Sequence, residues 1–301
     1  MSNSNNVLCF GEILWDALPD GRHAGGAPLN VAYHLSRLGA TGWPVSAVGD
    51  DELGTELLQL VSEWGMPSDF IGTSATLPTG TVQVSLDRGS PTYDILCDVA
   101  WDRIRVPDPL PERARPVDAV LYGTLALRDL HNRHALRSLL EQAREALHVF
   151  DVNLRPPHDD RDFAWQLARR ANLIKLNDVE LAFLLERPAI AENVEASTRQ
   201  FAERCDAERV CVTCGASGAG LLDSGRWYWV KSRPVAVRDT IGAGDAFLAA
   251  LVHGTLTRPE RPADTLAFAS ELAGFVAASD GAMPAYTDDD IERWRAMPPL
   301  S

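Results

Sequence analysis

"RDTIGAGDAF", residues 238–247, sets two glycines and an aspartate between an extended segment ending near Val237 and the apolar run "DAFLAALVHG". The pattern predicts a strand that turns through Gly242, Ala243 and Gly244 into a helix. At such a turn the free N–H groups and the helix dipole attract an anion, and glycine lets a phosphate approach the backbone. Asp245 falls in the first helical turn. It can be an ordinary N-terminal cap, yet a capping carboxylate repels the anion that the amides attract. The conflict disappears if the carboxylate is a base aimed at a hydroxyl while the amides hold the charge of a phosphoryl group in transfer. A G-x-G-x-x-G dinucleotide fingerprint fits less well, because Phe247 stands where that pattern needs Gly or Ala.

Outward from this turn, apolar runs rich in β-branched residues occur at 7–10, 44–48, 118–127, 148–152, 171–176 and 209–213. Helix-like stretches lie between them, at about 29–38, 52–64, 132–147, 162–170, 178–186 and 196–206, and a helical tail follows near 245–256, 263–279 and 288–295. The alternation predicts an α/β fold whose mostly parallel sheet is covered by helices on both faces, as a single domain over 1–301. Two excursions break the rhythm, at about 12–27 and 80–104. In the second, Val82, Val84 and Leu86 alternate with polar residues before "DRGS" turns the chain back through Tyr93 and Ile95, a hairpin signal. Together they suggest a small β lid or ordinary surface hairpins.

Composition narrows the chemistry. A formal charge of −14 disfavours nucleic acid and anionic membranes as partners, so any phosphate site must be local. Lys175 and Lys231 are the only lysines. No apolar run approaches a membrane span, and "MSNSNNV" lacks the layout of a signal peptide, so a soluble, cytoplasmic protein is expected. Five cysteines without metal-like spacing fit a reducing compartment; Cys211 and Cys214 lie in "RVCVTCG", which reads as a buried strand.

A second constellation, "AGGAPLNVAYHLSRLG", places Gly25 and Gly26 before a helix with Asn30 in its early turn. Val31, Leu35 and Leu38 form the buried stripe and leave Asn30 off it. An asparagine offers a donor and an acceptor to a pair of sugar hydroxyls, and capping chemistry accounts for it equally well.

"GGAPLNVAYHLSRLG" and "DTIGAGD", in this order near the two ends of the chain, resemble the signature motifs of the ribokinase-like carbohydrate kinases. "CFGEILWD", "GGAPLN" and "YDILCDVAWDRI" look most like the fructokinase branch. The resemblance implies that Asp245 is the catalytic base and that Gly242, Ala243 and Gly244 form its anion hole. It implies Asp16, Gly26 and Asn30 as ligands of the sugar hydroxyls. Arg155, in "DVNLRPP", resembles a fructokinase arginine near phosphates or sugar, although a surface arginine at a strand end reads the same. Asn177 and Glu180 match an N-x-x-E pattern associated with the Mg²⁺ and phosphate network, Glu180 acting through water; as plain sequence the pair is a capping box. Thr213, Gly215 and Gly218 resemble a nucleotide loop, and Ser270 stands where ribokinases often carry an adenine-side asparagine. Asp239 and the "ASDGA" loop match a monovalent-cation site for K⁺. Tyr93 and Trp101 offer apolar faces to a sugar ring, or serve as lid core or subunit contact.

The implied reaction is transfer of the γ-phosphoryl group of ATP, with Mg²⁺, to the 6-hydroxyl of D-fructose in a homodimer paired through the lid. A 2-keto-3-deoxygluconate kinase is the rival within the class, and a catalytically silent sugar sensor the rival outside it.

Overall fold

Successive residues of a strand point to opposite faces, and here each face meets its own hydrophobic layer. In β1 (Asn6–Phe10) Val7 and Cys9 enter one layer while Leu8 and Phe10 enter the other. The computed structural model describes residues 4–18, 21–87, 90–188 and 193–297. After β1 come β2 (Leu14–Leu18), β3 (Gly21–Gly25), α1 (Ala27–Arg37), β4 (Thr41–Gly49), α2 (Glu52–Glu63), β5 (Ile71–Ser74), β6 (Gly80–Asp87) and β7 (Ser90–Ile95). The chain continues through β8 (Ala119–Gly123), α3 (Leu130–Gln142), β9 (Leu147–Asp151), α4 (Arg161–Ala168), β10 (Leu173–Asn177), α5 (Asp178–Leu184) and α6 (Val194–Cys205). It ends with β11 (Arg209–Thr213), β12 (Ala219–Asp223), β13 (Arg226–Val230), α7 (Ala243–Thr257), α8 (Pro262–Ala277) and α9 (Asp288–Ala296).

The main sheet has the order β13-β12-β11-β10-β9-β8-β1-β4-β5. It is parallel from β11 to β5 and antiparallel at β12 and β13. One face carries side chains of α3 to α6, such as Leu136, Leu167, Leu181 and Phe201; the other carries α1, α2 and α7 to α9, with Leu35, Leu57, Leu251, Leu272 and Ile291. Both excursions join a second sheet of order β3-β2-β6-β7, where the parallel pairing of β2 with β6 ties them together. Among the described residues no helix is long and apolar enough to cross a membrane.

Three boundaries depart from the sequence reading. The run at 118–127 stops as a strand at Gly123, because the Thr124 hydroxyl donates to the carbonyls of Val152 and Asn153 and turns the chain into a 3₁₀ segment, Leu125–Arg128. The helix expected to reach 147 ends at Gln142, since Leu147 is drawn into register with Ala119 in the sheet. The β12–β13 hairpin was not foreseen, although "DSG" before the alternating "RWYWV" is its signal.

Candidate active site

The parallel strands deliver Glu12, Asp151, Asn177 and Thr213 at or just beyond their C-terminal ends, the side of an open α/β sheet where ligands bind. Above them α7 is capped at its N-terminus by Gly242, whose φ of +77° is left-handed. A Cβ there would lie 2.5 Å from the Ala282 Cβ, so only glycine makes this turn against the 279–286 loop. Of the three residues expected to form the anion hole, Ala243 turns its N–H to the Thr240 carbonyl at 3.4 Å, and Ala246 N–H donates to the Gly242 carbonyl at 2.9 Å, whereas the N–H groups of Gly242, Gly244 and Asp245 have no acceptor among the described residues. Behind the Gly242 N-cap, the two open amides of the first turn of this 15-residue helix make a cradle able to receive an anion.

Asn30 closes one side of it. Its Nδ2 donates to Asp245 Oδ2 at 2.7 Å. The sequence put Asn30 off the buried stripe of α1, but α1 is buried from Pro28 to Leu35 because α7 packs on its second face. Asn30 is only 4% exposed, and its Oδ1 is buried without a partner, an acceptor available to a ligand hydroxyl. Burial pushes the Asp245 pKa up to about 6 against the opposing Asn30 hydrogen bond; the Asp151 charge adds to the rise, and Lys175 and Arg155 counter it.

Beneath the cradle, Lys175 Nζ bonds Asp151 Oδ1 at 3.0 Å, both side chains buried. A Cβ on Gly244 would stand 3.6 Å from that ammonium. Burial alone would discharge Lys175, but the carboxylates of Asp151, Glu180 and Asp245 hold its pKa above the ordinary lysine value. A fixed positive charge thus lies directly under the two free amides. The second oxygen of Asp151, Oδ2, is buried and unpartnered.

Around the mouth of the small sheet, Asp16 and Glu12 join Asp245 in the field of Arg155. Burial raises Asp16 to about 6, with His23 and Arg155 lowering it and Asp245 raising it. Burial raises Glu12 to about 7, Arg155 again opposing and Asp245 reinforcing. Glycine is required on both sides of this carboxylate group. A Cβ on Gly25 would strike Asp16 Oδ2 at 2.2 Å, and one on Gly26, whose φ is +110°, would strike the Glu12 carbonyl at 2.3 Å. Arg155 is half-buried, and its Nη1 reaches the Leu154 carbonyl at 3.3 Å.

One turn beyond Asn30, the fully buried His34 ties α1 to the loop that flanks Gly242. Its Nε2 lies 3.0 Å from the Ala282 carbonyl and its Nδ1 3.0 Å from the Tyr286 hydroxyl. Burial drops its pKa to about 4, so it is a neutral strut.

On the other side of the cradle a cleft of about 490 Å³ brings together Thr213, Gly215, Gly218 and Ser270 with Ala243 and Gly244. Asn177 is in register with Thr213 on the neighbouring strand. Asn177 and Glu180 form the capping box: Asn177 Oδ1 accepts from Glu180 N–H, and Glu180 Oε2 accepts from Asn177 N–H, both at 2.8 Å. Glu180 Oε1 accepts from Leu154 N–H at 2.9 Å, so backbone amides engage both oxygens. Asp239 caps the turn by accepting from Ile241 N–H at 2.9 Å, while its own N–H meets the Ala277 carbonyl, placing the 239–241 turn against the 277–281 loop.

Among the described residues no three His, Cys, Asp or Glu side chains form a metal cage. That set does not suit a metal held by protein alone. It suits Mg²⁺, which keeps waters and phosphate oxygens in its shell and takes one or two carboxylates, here Asp151 Oδ2 and, through water, Glu180.

Two residues read as site candidates stand differently. The Trp101 ring is 1% exposed, packed in the main core with the Arg128 guanidinium 4.1 Å from its centroid, so it offers no free face. Tyr93 falls in β7, and its side chain lies outside the described residues. Sequence reading missed Glu12, His34, Asp151 and Lys175. The signal was faint: in a chain with two lysines, one falls inside an apolar strand run, two residues before Asn177 at the end of "IKLN".

Residues 19–289 match the model of the pfkB family carbohydrate kinases. A fructokinase of Klebsiella pneumoniae is 29% identical over 309 aligned residues, covering 96% of this chain and 99% of its own. A sugar kinase of Pyrococcus horikoshii, solved in complex with ATP, is 26% identical and superposes with a TM-score of 0.77 over 94% of this chain and 96% of its own. A fructokinase of Vibrio cholerae, solved with fructose, ADP and a calcium ion, is 23% identical and shares the fold with a TM-score of 0.84 over 96% and 98%.

Proposed function

This chain belongs to the pfkB family of carbohydrate kinases, and from that premise we propose that it phosphorylates D-fructose at the 6-hydroxyl with ATP, using Asp245 as general base. The observation that carries the reading is the pairing of one carboxylate with two free amides at the start of α7. Asp245, oriented by Asn30, takes the proton of the attacking hydroxyl. The Gly244 and Asp245 amides, with Lys175 beneath them, stabilise the charge on the transferring phosphoryl group. Asn30 Oδ1 and Asp16 orient the sugar. Asp151 and, through water, Glu180 would hold Mg²⁺ brought with the nucleotide, which would neutralise phosphate charge. K⁺ at the carbonyls of the 239–241 turn and the 277–281 loop would orient the cradle amides.

The sheet formed by β2, β3, β6 and β7 is the lid in this reading, excluding water that would otherwise accept the phosphoryl group, and the contact of a homodimer. Five unpaired cysteines fit a reducing cytoplasm.

A neutral sugar is favoured over a keto acid by one feature of the site. Asp16 and Asp245, each with a pKa of about 6, are anions at neutral pH beside Arg155, and a carboxylate on the substrate would have to approach both of them. The test is kcat/KM for fructose, ribose, tagatose, mannose and 2-keto-3-deoxygluconate in one ADP-release assay. Fructose should lead. A lead of more than about tenfold for ribose or the keto acid would refute fructose and leave a kinase. Sugar binding without ADP release from any of them would instead mark a sensor.

A further inference from the structure

The Arg128 guanidinium is buried at the root of the small sheet and is held from several sides. Its Nε and Nη2 donate to Asp102 Oδ1 and Oδ2, each at 2.9 Å, in a two-point pair whose side chains are 8% and 6% exposed. Nη2 also donates to the Leu96 carbonyl at 2.5 Å, and the guanidinium carbon stands 4.1 Å from the centre of the Trp101 ring. Nη1 lies 3.4 Å from His158 Nε2; a guanidinium has only donors, so the imidazole nitrogen accepts. Desolvation offsets most of the attraction in a pair buried this deeply, so stability alone is a poor account of it.

Two of these contacts lead to different parts of the site. Leu96 follows β7, and the row Asp16–Val82–Ile95 runs straight across β2, β6 and β7 in the register of the small sheet. Fixing Leu96 therefore fixes the end of the row in which Asp16 lies. The other root of the same hairpin is Gly80, the first residue of β6, packed so tightly on Trp101 that a Cβ would stand 2.3 Å from the indole Nε1. Both roots of the β6–β7 hairpin thus rest on the stack of Arg128 and Trp101. His158 leads the other way. Its N–H donates to the Arg155 carbonyl at 2.7 Å and closes the turn that carries Arg155.

We propose that Arg128 is a positioning residue of the sugar site: one guanidinium holds both the strand row of Asp16 and the turn of Arg155, and so sets the spacing between the carboxylate and the cation that meet the sugar hydroxyls. The sugar in this statement rests on the kinase reading above; the double anchorage does not. A planar fork of N–H groups is what the task needs. A lysine ammonium can stay beside Asp102 but cannot reach Leu96 and His158 together.

Arg128→Lys therefore keeps the charge and gives up the fork. For D-fructose, kcat/KM should fall by about 10- to 100-fold, mostly through KM, with KM for ATP within about twofold of the parent's. A role in stability alone would reduce the active fraction, lowering kcat and leaving both KM values in place, and that pattern overturns the proposal. Arg128→Met with Asp102→Asn removes both buried charges and keeps an acceptor for Val99 N–H, so the melting temperature should recover while the fructose KM stays raised. Recovery of that KM together with the melting temperature would also overturn it. Hydrogen exchange without substrate separates the anchorage from the kinase reading: in Arg128→Lys the amides of 14–18 and of 153–158 should both exchange faster than in the parent. Faster exchange confined to 96–104 would overturn the proposal even in a protein that phosphorylates fructose well. Failure of the parent to phosphorylate any sugar would count against the kinase reading, and the exchange result would still decide whether Arg128 holds both segments.

Discussion

Asn30 Nδ2 donates to Asp245 Oδ2 at 2.7 Å across 215 residues of chain. This bond joins the helix after the double glycine to the helix after the Gly242 turn, and it leaves Asn30 Oδ1 buried without a partner among the described residues. Its partners come from the two motifs that stand out in the sequence.

Asp245→Asn removes the base while keeping a hydrogen-bonding group of the same shape beside Asn30. Turnover should fall by roughly 10²–10⁴, the usual worth of a positioned base, with ATP affinity kept. Steady-state kinetics and calorimetric titration of ATP measure both, and near-normal turnover would remove Asp245 from the mechanism.

The working form of Asp245 is the anion, so activity should decline as pH falls through about 6. Lys175→Met removes a cation that lowers the Asp245 pKa, and the acid limb of the kcat/KM profile should move to higher pH. It also leaves the buried Asp151 unpaired, at a stability loss on the order of 3–5 kcal/mol. Replacing both, Lys175→Met with Asp151→Leu, should restore most of the melting temperature but not the rate.

Glu12 has its pKa raised from 4.5 to about 7, so the stability it contributes is complete below pH 4.5 and disappears as pH rises through 7. Glu12→Gln should consequently stabilise the protein at pH 8, by on the order of 1–3 kcal/mol, and make little difference at pH 4. Urea unfolding at the two pH values tests the sign; equal effects at both would show that Glu12 is not held in its neutral form.

Gly242 and Gly281 both have left-handed backbones, with φ of +77° and +74°, but a Cβ on Gly242 strikes Ala282 whereas one on Gly281 meets nothing within 4 Å beyond its own chain neighbours among the described residues. Alanine at either position should cost backbone strain of about 1 kcal/mol. Gly242→Ala should in addition displace the cradle amides and depress kcat far more than Gly281→Ala. Equal kcat in the two variants would refute a cradle built on the contact between Gly242 and Ala282.

Activity in K⁺ should exceed that in Na⁺ at matched ionic strength, because the contact of Asp239 N–H with the Ala277 carbonyl brings two carbonyl-bearing loops beside the cradle. Equal rates in the two salts would exclude a selective cation site there.

The periodic runs were enough to give the layered α/β architecture, since burial on both faces makes a parallel strand apolar throughout and each covering helix amphipathic. The glycine turn before Asp245 was equally plain, because its need for a positive φ and close approach is local. What sequence alone could not decide is which polar residues face one another. Asn177 and Glu180 are a capping box, as their spacing says, but only the packing of α5 on the 152–155 segment turns the free Glu180 oxygen to Leu154 N–H. Trp101 lies in an excursion by sequence and in the main core by contact. Lys175 and Asp151 sit inside apolar strand runs, and parallel pairing of β9 with β10 sets them side by side under Gly244. A local signal fixes backbone conformation, whereas a charge buried within a strand has meaning only once its neighbour, many residues away, supplies the opposite charge.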